Sequence, residues 1–317
     1  MAANGGWITA YDLAQLPEPR EQPALHTTYR GWNGYTLQPP ASGWVVLQIL
    51  KILELSRAED LAPGAPTRAG LVIEALGIGH TSSRTNPIRD MANPWAETAE
   101  RTAPDTAARL RTEAREKTRG ETTHYSVADG RGMTIAVTAS INNYYGALVA
   151  SPKLGFFYND YMTDLVTDDP GHPFALRGNA MPYSSMSATI LARDGRAHFA
   201  AGSPGSARII SAVSQVVQLW ADSQFNLVEA VAHPRWHVIP PGRLYVEDMA
   251  AASSWRTEVE KRGWTLLPEP ANMMPLAQNG RNAYFGGVHA VALENGNWTG
   301  AADPRRDGVV TITRNPR

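Results

Sequence analysis

The spacing of apolar positions changes character once along the 317 residues. Up to about residue 119 it is mostly helical, and from Thr122 onward it is mostly that of strands and hairpins with a few helices between them. Thr9 or Ala10 to Gln15 predicts a short helix, ended by the prolines at 17 and 19. After Pro39 and Pro40, Ser42 stands as the cap of a helix reaching about Arg57, with Val46, Ile49, Leu50 and Leu53 at helical steps. Arg68 to Leu76 continues that pattern. Gly77 to Pro94, rich in Gly, Ser, Asn and Pro, predicts a loop, and residues 105–117 (DTAARLRTEAREK) predict a charged helix. The period then becomes two. Thr122 to Asp129 and Met133 to Ser140 predict a hairpin turning at Gly130-Arg131-Gly132, and Ser187 to Ala201 another turning at Asp194-Gly195. Ile209 to Trp220 predicts a long apolar helix, Asn226 to Ala232 a short capped one, and Trp255 to Arg262 one stopped by Gly263. A last hairpin spans Val288 to Ala302, with its turn at Asn295-Gly296.

Composition narrows what such a chain can be. It is 43% hydrophobic and 19% charged, enough for a large core. Lys plus Arg is 29 against 30 Asp plus Glu, so no positive field exists to hold nucleic acid or an anionic membrane. Cysteine is absent, which removes disulfides, thiolate metal sites and a Cys nucleophile. The most apolar stretch, Gly43 to Leu55, contains Gln48, Lys51 and Glu54 and falls short of the roughly 20 apolar residues of a membrane span. The opening MAANGGWITAYDL has neither a basic start nor an apolar core, so it predicts no signal peptide.

Common catalytic signatures are missing. There is no Gly-x-Ser-x-Gly elbow, no phosphate-binding Gly-x4-Gly-Lys-Ser/Thr loop and no His-Glu-x-x-His. Gly77-Ile78-Gly79 follows a helical stretch and lacks the third Gly of a dinucleotide loop, so it reads as an ordinary loop. His233 and His237 are four apart with Pro234 between them and read as structural. No histidine spacing argues for a metal. The sequon at Asn297-Trp298-Thr299 falls in a predicted hairpin and carries no weight.

The junction at Thr118 to Thr122 is different. TRGE is polar, flexible and without an apolar anchor, the composition of a cleavable segment. Two threonines opening a strand are usually only β-formers. If the chain is cut before Thr122, however, the new α-amino group, with a reference pKa of about 7.7 to 8.0, is a usable base on the same residue as the hydroxyl it must activate.

From this point the sequence resembles a known family. TTHYSVADGRGMTIAVTASINNYYG (residues 122–146) is similar to the start of the small subunit of γ-glutamyltransferases (γ-glutamyltranspeptidases), self-cleaving N-terminal-nucleophile hydrolases. GFFYNDYMTD, YSSMSATI, AGSPGSARII, HPRWH and GAADPRRDG follow in the family's order, and NGGWITAYDLAQL, YRGWNGYTLQPPASG and LQILKILEL resemble the end of its large subunit. The resemblance implies an α+β fold, a four-layer αββα sandwich, complete or incomplete. Residues 1–121 would be the C-terminal part of the large subunit, and 122–317 the small catalytic subunit, together one domain. The family's large subunit has a further N-terminal half carrying an Arg that clamps the substrate carboxylate; against it, this sequence reads either as a fragment or as a shortened relative that closes its core by other means.

The resemblance also implies roles. Thr122 is the nucleophile, Ser140 stands where the family has a Thr hydroxyl bonded to it, and the N–H groups of Gly205 and Ser206 face the oxyanion. Asn142 holds glutamyl backbone groups, Asp164 pairs with the α-ammonium, and Ser184 and Ser185 face the α-carboxylate. Tyr161 stands where the family usually has Gln, Glu or Asn, and Ser206 where it has a second Gly. The expected reaction is γ-glutamyl transfer or hydrolysis of glutathione-type amides through an acyl-Thr122 intermediate, to water or to an acceptor amino acid or peptide. No cofactor or metal is implied. The two cleavage products would form a heterodimer, and the family places such enzymes in the periplasm or outside the cell. The rival readings are a same-family acylase acting on glutaryl amides or poly-γ-glutamate, and a catalytically silent fragment.

Overall fold

A computed structural model describes residues 9–16, 18–109, 121–223, 225–268 and 281–313. Residues 118–120 of the TRGE segment and most of the helix predicted over 105–117 lie outside these residues; of the latter, the part within α5 (Pro104–Arg109) is seen.

Six antiparallel strands form the main sheet, in the order β1 (Leu25–Tyr29), β2 (Trp32–Thr36), β5 (Thr189–Arg193), β6 (Arg196–Gly202), β10 (His289–Glu294) and β11 (Asn297–Ala302). β5–β6 and β10–β11 turn at Asp194-Gly195 and Asn295-Gly296, with φ of 52°, 74°, 51° and 79°, the left-handed pair that a two-residue hairpin requires. β1–β2 is a hairpin the periodicity did not predict, turning at Arg30-Gly31. It corrects the mostly helical reading of the first 119 residues: β2 pairs directly with β5, so one sheet draws strands from both sides of residue 121.

One face of the sheet carries helices. α2 (Gly43–Glu54), α6 (Arg208–Asp222) and α7 (Leu227–Ala232) pack on it, and α3 (Arg68–Thr85) lies against α2. The main core fills this interface: Leu47, Ile49, Leu50, Leu191, Phe199, Val213 and Val217 are fully or almost fully buried. α7 carries the capping box that Asn226 predicts, completed by Glu229, and Thr9 and Asp12 form another on α1 (Ala10–Ala14). Ser42 does not cap α2; its hydroxyl donates to the Ser184 carbonyl at 2.7 Å.

α3 also corrects the loop predicted from Gly77. The helix runs through Gly77 and Gly79 to Thr85 because the glycines serve close approach, not a turn. A Cβ on Gly79 would stand 2.5 Å from Ile49, and one on Gly77 2.7 Å from Trp264. α4 (Trp95–Arg101) follows. A small sheet of β7 (Trp236–Ile239), β8 (Arg243–Val246) and β9 (Thr265–Pro268) borders α3, with α8 (Arg256–Lys261) beside it, stopped at Gly263 with φ 87°.

The other face of the main sheet is covered by the hairpin β3 (Glu121–Ala128) and β4 (Thr134–Asn142), which touches β6 and β10. Gly202 has no side chain there because a Cβ would meet the His124 ring at 2.3 Å. The order helices, six-stranded sheet, two-stranded sheet gives three of the expected sandwich layers; a second outer helical layer is not found among the described residues.

Candidate active site

Alternation along β3 turns Thr122, His124 and Ser126 toward the main sheet and leaves Thr123, Tyr125 and Val127 exposed. Across the ladder, Thr122 faces Ser140. The Thr122 hydroxyl donates to Ser140 Oγ at 3.0 Å, and the same oxygen accepts the Asn142 N–H at 3.0 Å. Glu121 pairs with Asn142 while Thr122 pairs with Ser140, so a bulge at Ile141 lies opposite the Glu121–Thr122 peptide. Asn142 emerges from it with φ 70°, and its side-chain amide donates to Thr163 Oγ1 at 3.2 Å.

Two loops close the surroundings. The 3-10 turn Tyr161–Asp164 places the Tyr161 hydroxyl 3.3 Å from Ser184 Oγ. Burial, and then the nearby charge of Asp160, push the Asp164 carboxyl up to about 6. The second loop joins β6 to α6. Ser203 Oγ accepts the Gly287 N–H at 3.0 Å and donates to the Pro204 carbonyl at 2.6 Å. Gly205 has φ 129°, with Gly286 Cα only 3.2 Å from where a Cβ would stand, so Gly is needed there. Ser206 adopts φ 55°, a left-handed conformation that its side chain makes costly by about 1–2 kcal/mol.

These loops open on one cavity of about 450 Å³. Thr122, Asn142, Tyr161, Asp164, Ser185 and Ser206 line it. Ser140 stands behind Thr122, Ser184 behind Tyr161, and Gly205 precedes Ser206, so all nine residues singled out in the sequence gather at one place. The sequence does not point to the wall supplied by the end of α3, where His80, Ser83 and Arg84 face the cavity, because Gly77 and Gly79 predict a loop there. Nor does it point to Phe174 and Tyr183, whose rings meet edge to face at 5.6 Å. His80 is held neutral, its pKa lowered to about 3 by burial and by the charge of Arg84.

A hydroxyl pair, a positive-φ loop opening a helix and a carboxyl of raised pKa thus meet at one cavity. Comparison with known proteins identifies the family. A family model for gamma-glutamyltranspeptidase matches residues 1–313. The chain belongs to the γ-glutamyltranspeptidase family. It is 30% identical to a glutathione hydrolase proenzyme of Pseudomonas sp. (strain A14), over 97% of this chain and 57% of that protein. It is also 30% identical to an acylase ACY 1 proenzyme of Pseudomonas sp. (strain V22), over 98% of this chain and 55% of that one. The chain thus spans about half the length of the curated relatives it matches.

Among solved structures, a cephalosporin acylase from Bacillus halodurans shares the fold over 99% of this chain and 57% of its own, with a TM-score of 0.82 at 20% identity. A γ-glutamyltranspeptidase from Pseudomonas nitroreducens, complexed with L-DON, matches 61% of this chain across 100% of its own, with a TM-score of 0.50 at 26% identity. The α+β sandwich expected of the family is therefore this chain's fold. Among the described residues no helix is long and apolar enough to cross a membrane.

Proposed function

We propose that this family member transfers or hydrolyses γ-glutamyl groups of glutathione-type amides, with Thr122 as nucleophile after cleavage of the Glu121–Thr122 peptide. The observation that carries the reading is the Thr122–Ser140 hydroxyl pair at the wall of a cavity that also holds Asn142, Asp164, Ser185 and Ser206. Cleavage turns Thr122 N into a free amine whose reference pKa of about 7.7 to 8.0 suits a base near neutral pH. That amine takes the Thr122 Oγ1 proton as the oxygen attacks the γ-carbonyl, and returns it to the departing amine. The N–H groups of Gly205 and Ser206 receive the negative charge on the carbonyl oxygen. The acyl-Thr122 ester then yields to water or to an amino acid or peptide amine.

At the other end of the donor, Asp164 takes the α-ammonium, and Ser184, Ser185 and the positive wall at Arg84 take the α-carboxylate. A division into segments 1–121 and 122–317 is supported by the match above to a γ-glutamyltranspeptidase chain that is covered throughout by about three-fifths of this one, the share that residues 122–317 make up. A glutaryl-amide acylase is the second reading, favoured by Tyr161 beside Asp164 and by the acylase relatives. Export to the periplasm or beyond the cell goes with the family reading.

End-sequencing and intact mass of purified protein should show a new terminus at Thr122. Thr122→Ala should remove both that terminus and the turnover of a γ-glutamyl anilide, while Thr122→Ser keeps a fraction of each. Turnover surviving in Thr122→Ala rules out the assignment. Faster cleavage of a glutaryl than of a γ-glutamyl anilide transfers it to the acylase.

A further inference from the structure

α6 is buried all round, yet one stripe of it is polar. Arg208, Ser211, Gln215 and Gln218 recur at steps of three and four, each at most 5% exposed, among Ile209, Ile210, Val213, Val216 and Val217. Polar groups in such a core cost free energy unless bonded, and these are bonded to other elements. Arg208 Nε donates to the Tyr284 carbonyl at 3.3 Å. Ser211 Oγ lies 2.8 Å from His80 Nε2 on α3 and 2.9 Å from His237 Nδ1 on β7. Gln215 donates to the Trp236 carbonyl at 2.8 Å and accepts the Trp236 N–H at 3.1 Å. Gln218 accepts from Arg68 at 3.2 Å.

Both imidazoles are fully buried, and burial holds them neutral. Each then offers one N–H and one lone pair, and Ser211 has a single proton. Ser211 can donate to one ring while accepting from the other, which satisfies both contacts at once. A bridge of this kind closes only when three elements stand at the right distances. Apolar ridges tolerate small slides and rotations of a helix, whereas hydrogen bonds of fixed length to two other elements single out one placement.

The place where this matters is the start of α6. The 203–206 loop with its positive-φ Gly205 and Ser206 runs straight into Arg208, Ser211 is one turn further on, and the His80 ring is itself part of the cavity wall. We infer that the His80–Ser211–His237 bridge, backed by Gln215, fixes the axial and rotational setting of α6 and so aims the Ser206 N–H at the reacting carbonyl. His80, Ser211, His237 and Gln215 are positioning residues that act through α6. The inference rests on Ser206 serving the oxyanion as proposed above.

The test uses the full chain carrying Ser211→Ala, His80→Phe or Gln215→Leu. Donors aimed at the transition state affect kcat, so each variant should lose about tenfold to a hundredfold in kcat for a γ-glutamyl anilide, with KM within about twofold. Gln215→Leu should lower Tm, because the buried Trp236 N–H and carbonyl lose their partner, so kcat is read per folded enzyme well below each variant's Tm. Amide exchange over residues 203–209 should quicken by about tenfold while that of 216–219 stays unchanged. Unchanged kcat of the folded variants, or a loss carried by KM instead of kcat, overturns the inference. A wild-type protein with no turnover sinks the functional reading instead, and unchanged exchange over 203–209 in the variants then sinks the positioning role independently.

Discussion

On the helix side of the six-stranded sheet, Leu191 and Phe199 sit fully buried against α2 and α6, and the Phe199 ring meets Trp220 at 4.9 Å. On the opposite side the inward residues of β3 and β4 include Thr122, His124, Ser126, Thr138 and Ser140, joined by hydrogen bonds of 2.8 to 3.0 Å. The apolar residues of that hairpin point the other way: Tyr125 is 54% and Val127 50% exposed. An ordinary half-buried strand pair does the reverse. The helix side holds the fold together by area removed from water. The hairpin side gives up that contribution to bring the Thr122 hydroxyl, with Ser140 behind it, to the cavity edge. Substitutions on the two sides should therefore fail differently, in stability on one and in turnover on the other.

The largest effect belongs to the helix side. Leu47→Ala, at a fully buried residue, should cost about 2–5 kcal/mol in denaturant unfolding, with the activity of the folded fraction intact. Ser140→Ala should lower turnover by about a hundredfold, because Thr122, the proposed nucleophile, loses its orienting partner, while unfolding changes by about 1 kcal/mol. Equal stability losses in these two variants would erase the contrast between the faces.

Asp164 sharpens it through pH. Its carboxyl is raised from 3.8 to about 6, so the folded protein favours the protonated form. The resulting stability is fully present below about 3.8 and is lost as pH rises through about 6. Asp164→Asn should thus melt higher than wild type at pH 8 and equally at pH 3. An ammonium-bearing donor needs the ionised acid, so kcat/KM should climb through about pH 6 in wild type and lose that limb in Asp164→Asn. The smallest effect is Ser206→Gly, which should stabilise by about 1 kcal/mol by relieving the left-handed backbone, with kcat changed less than about threefold.

Where local chemistry and tertiary role agree, the elements could be read directly. The Asp194-Gly195 and Asn295-Gly296 hairpins, the Asn226 cap and α6 each carry their own signal. β1–β2 escaped because its inward-facing positions include Thr27, Gly34 and Thr36, which break the apolar alternation, and the Arg30-Gly31 turn lacks the Asn-Gly signature. The end of α3 escaped because Gly77 and Gly79 look like breakers in one dimension and are contact points in three. The candidate site was visible chiefly through ordered motifs. Asn142, Asp164 or Ser184 alone are ordinary turn residues, and periodicity says nothing of how a hairpin folds Thr122 and Ser140, 18 positions apart, into hydrogen-bond contact. His80 and Arg84 could have been found only by anyone who kept the helix going past Gly77.

The pairing of β2 with β5 carries a genetic corollary. Their four registered residue pairs, from Asn33 with Ala192 to Thr36 with Thr189, stitch together stretches that no peptide bond near residue 121 needs to connect. Two open reading frames, one ending at codon 121 and the other starting at codon 122, should therefore yield products that find each other during synthesis and co-purify without a tether.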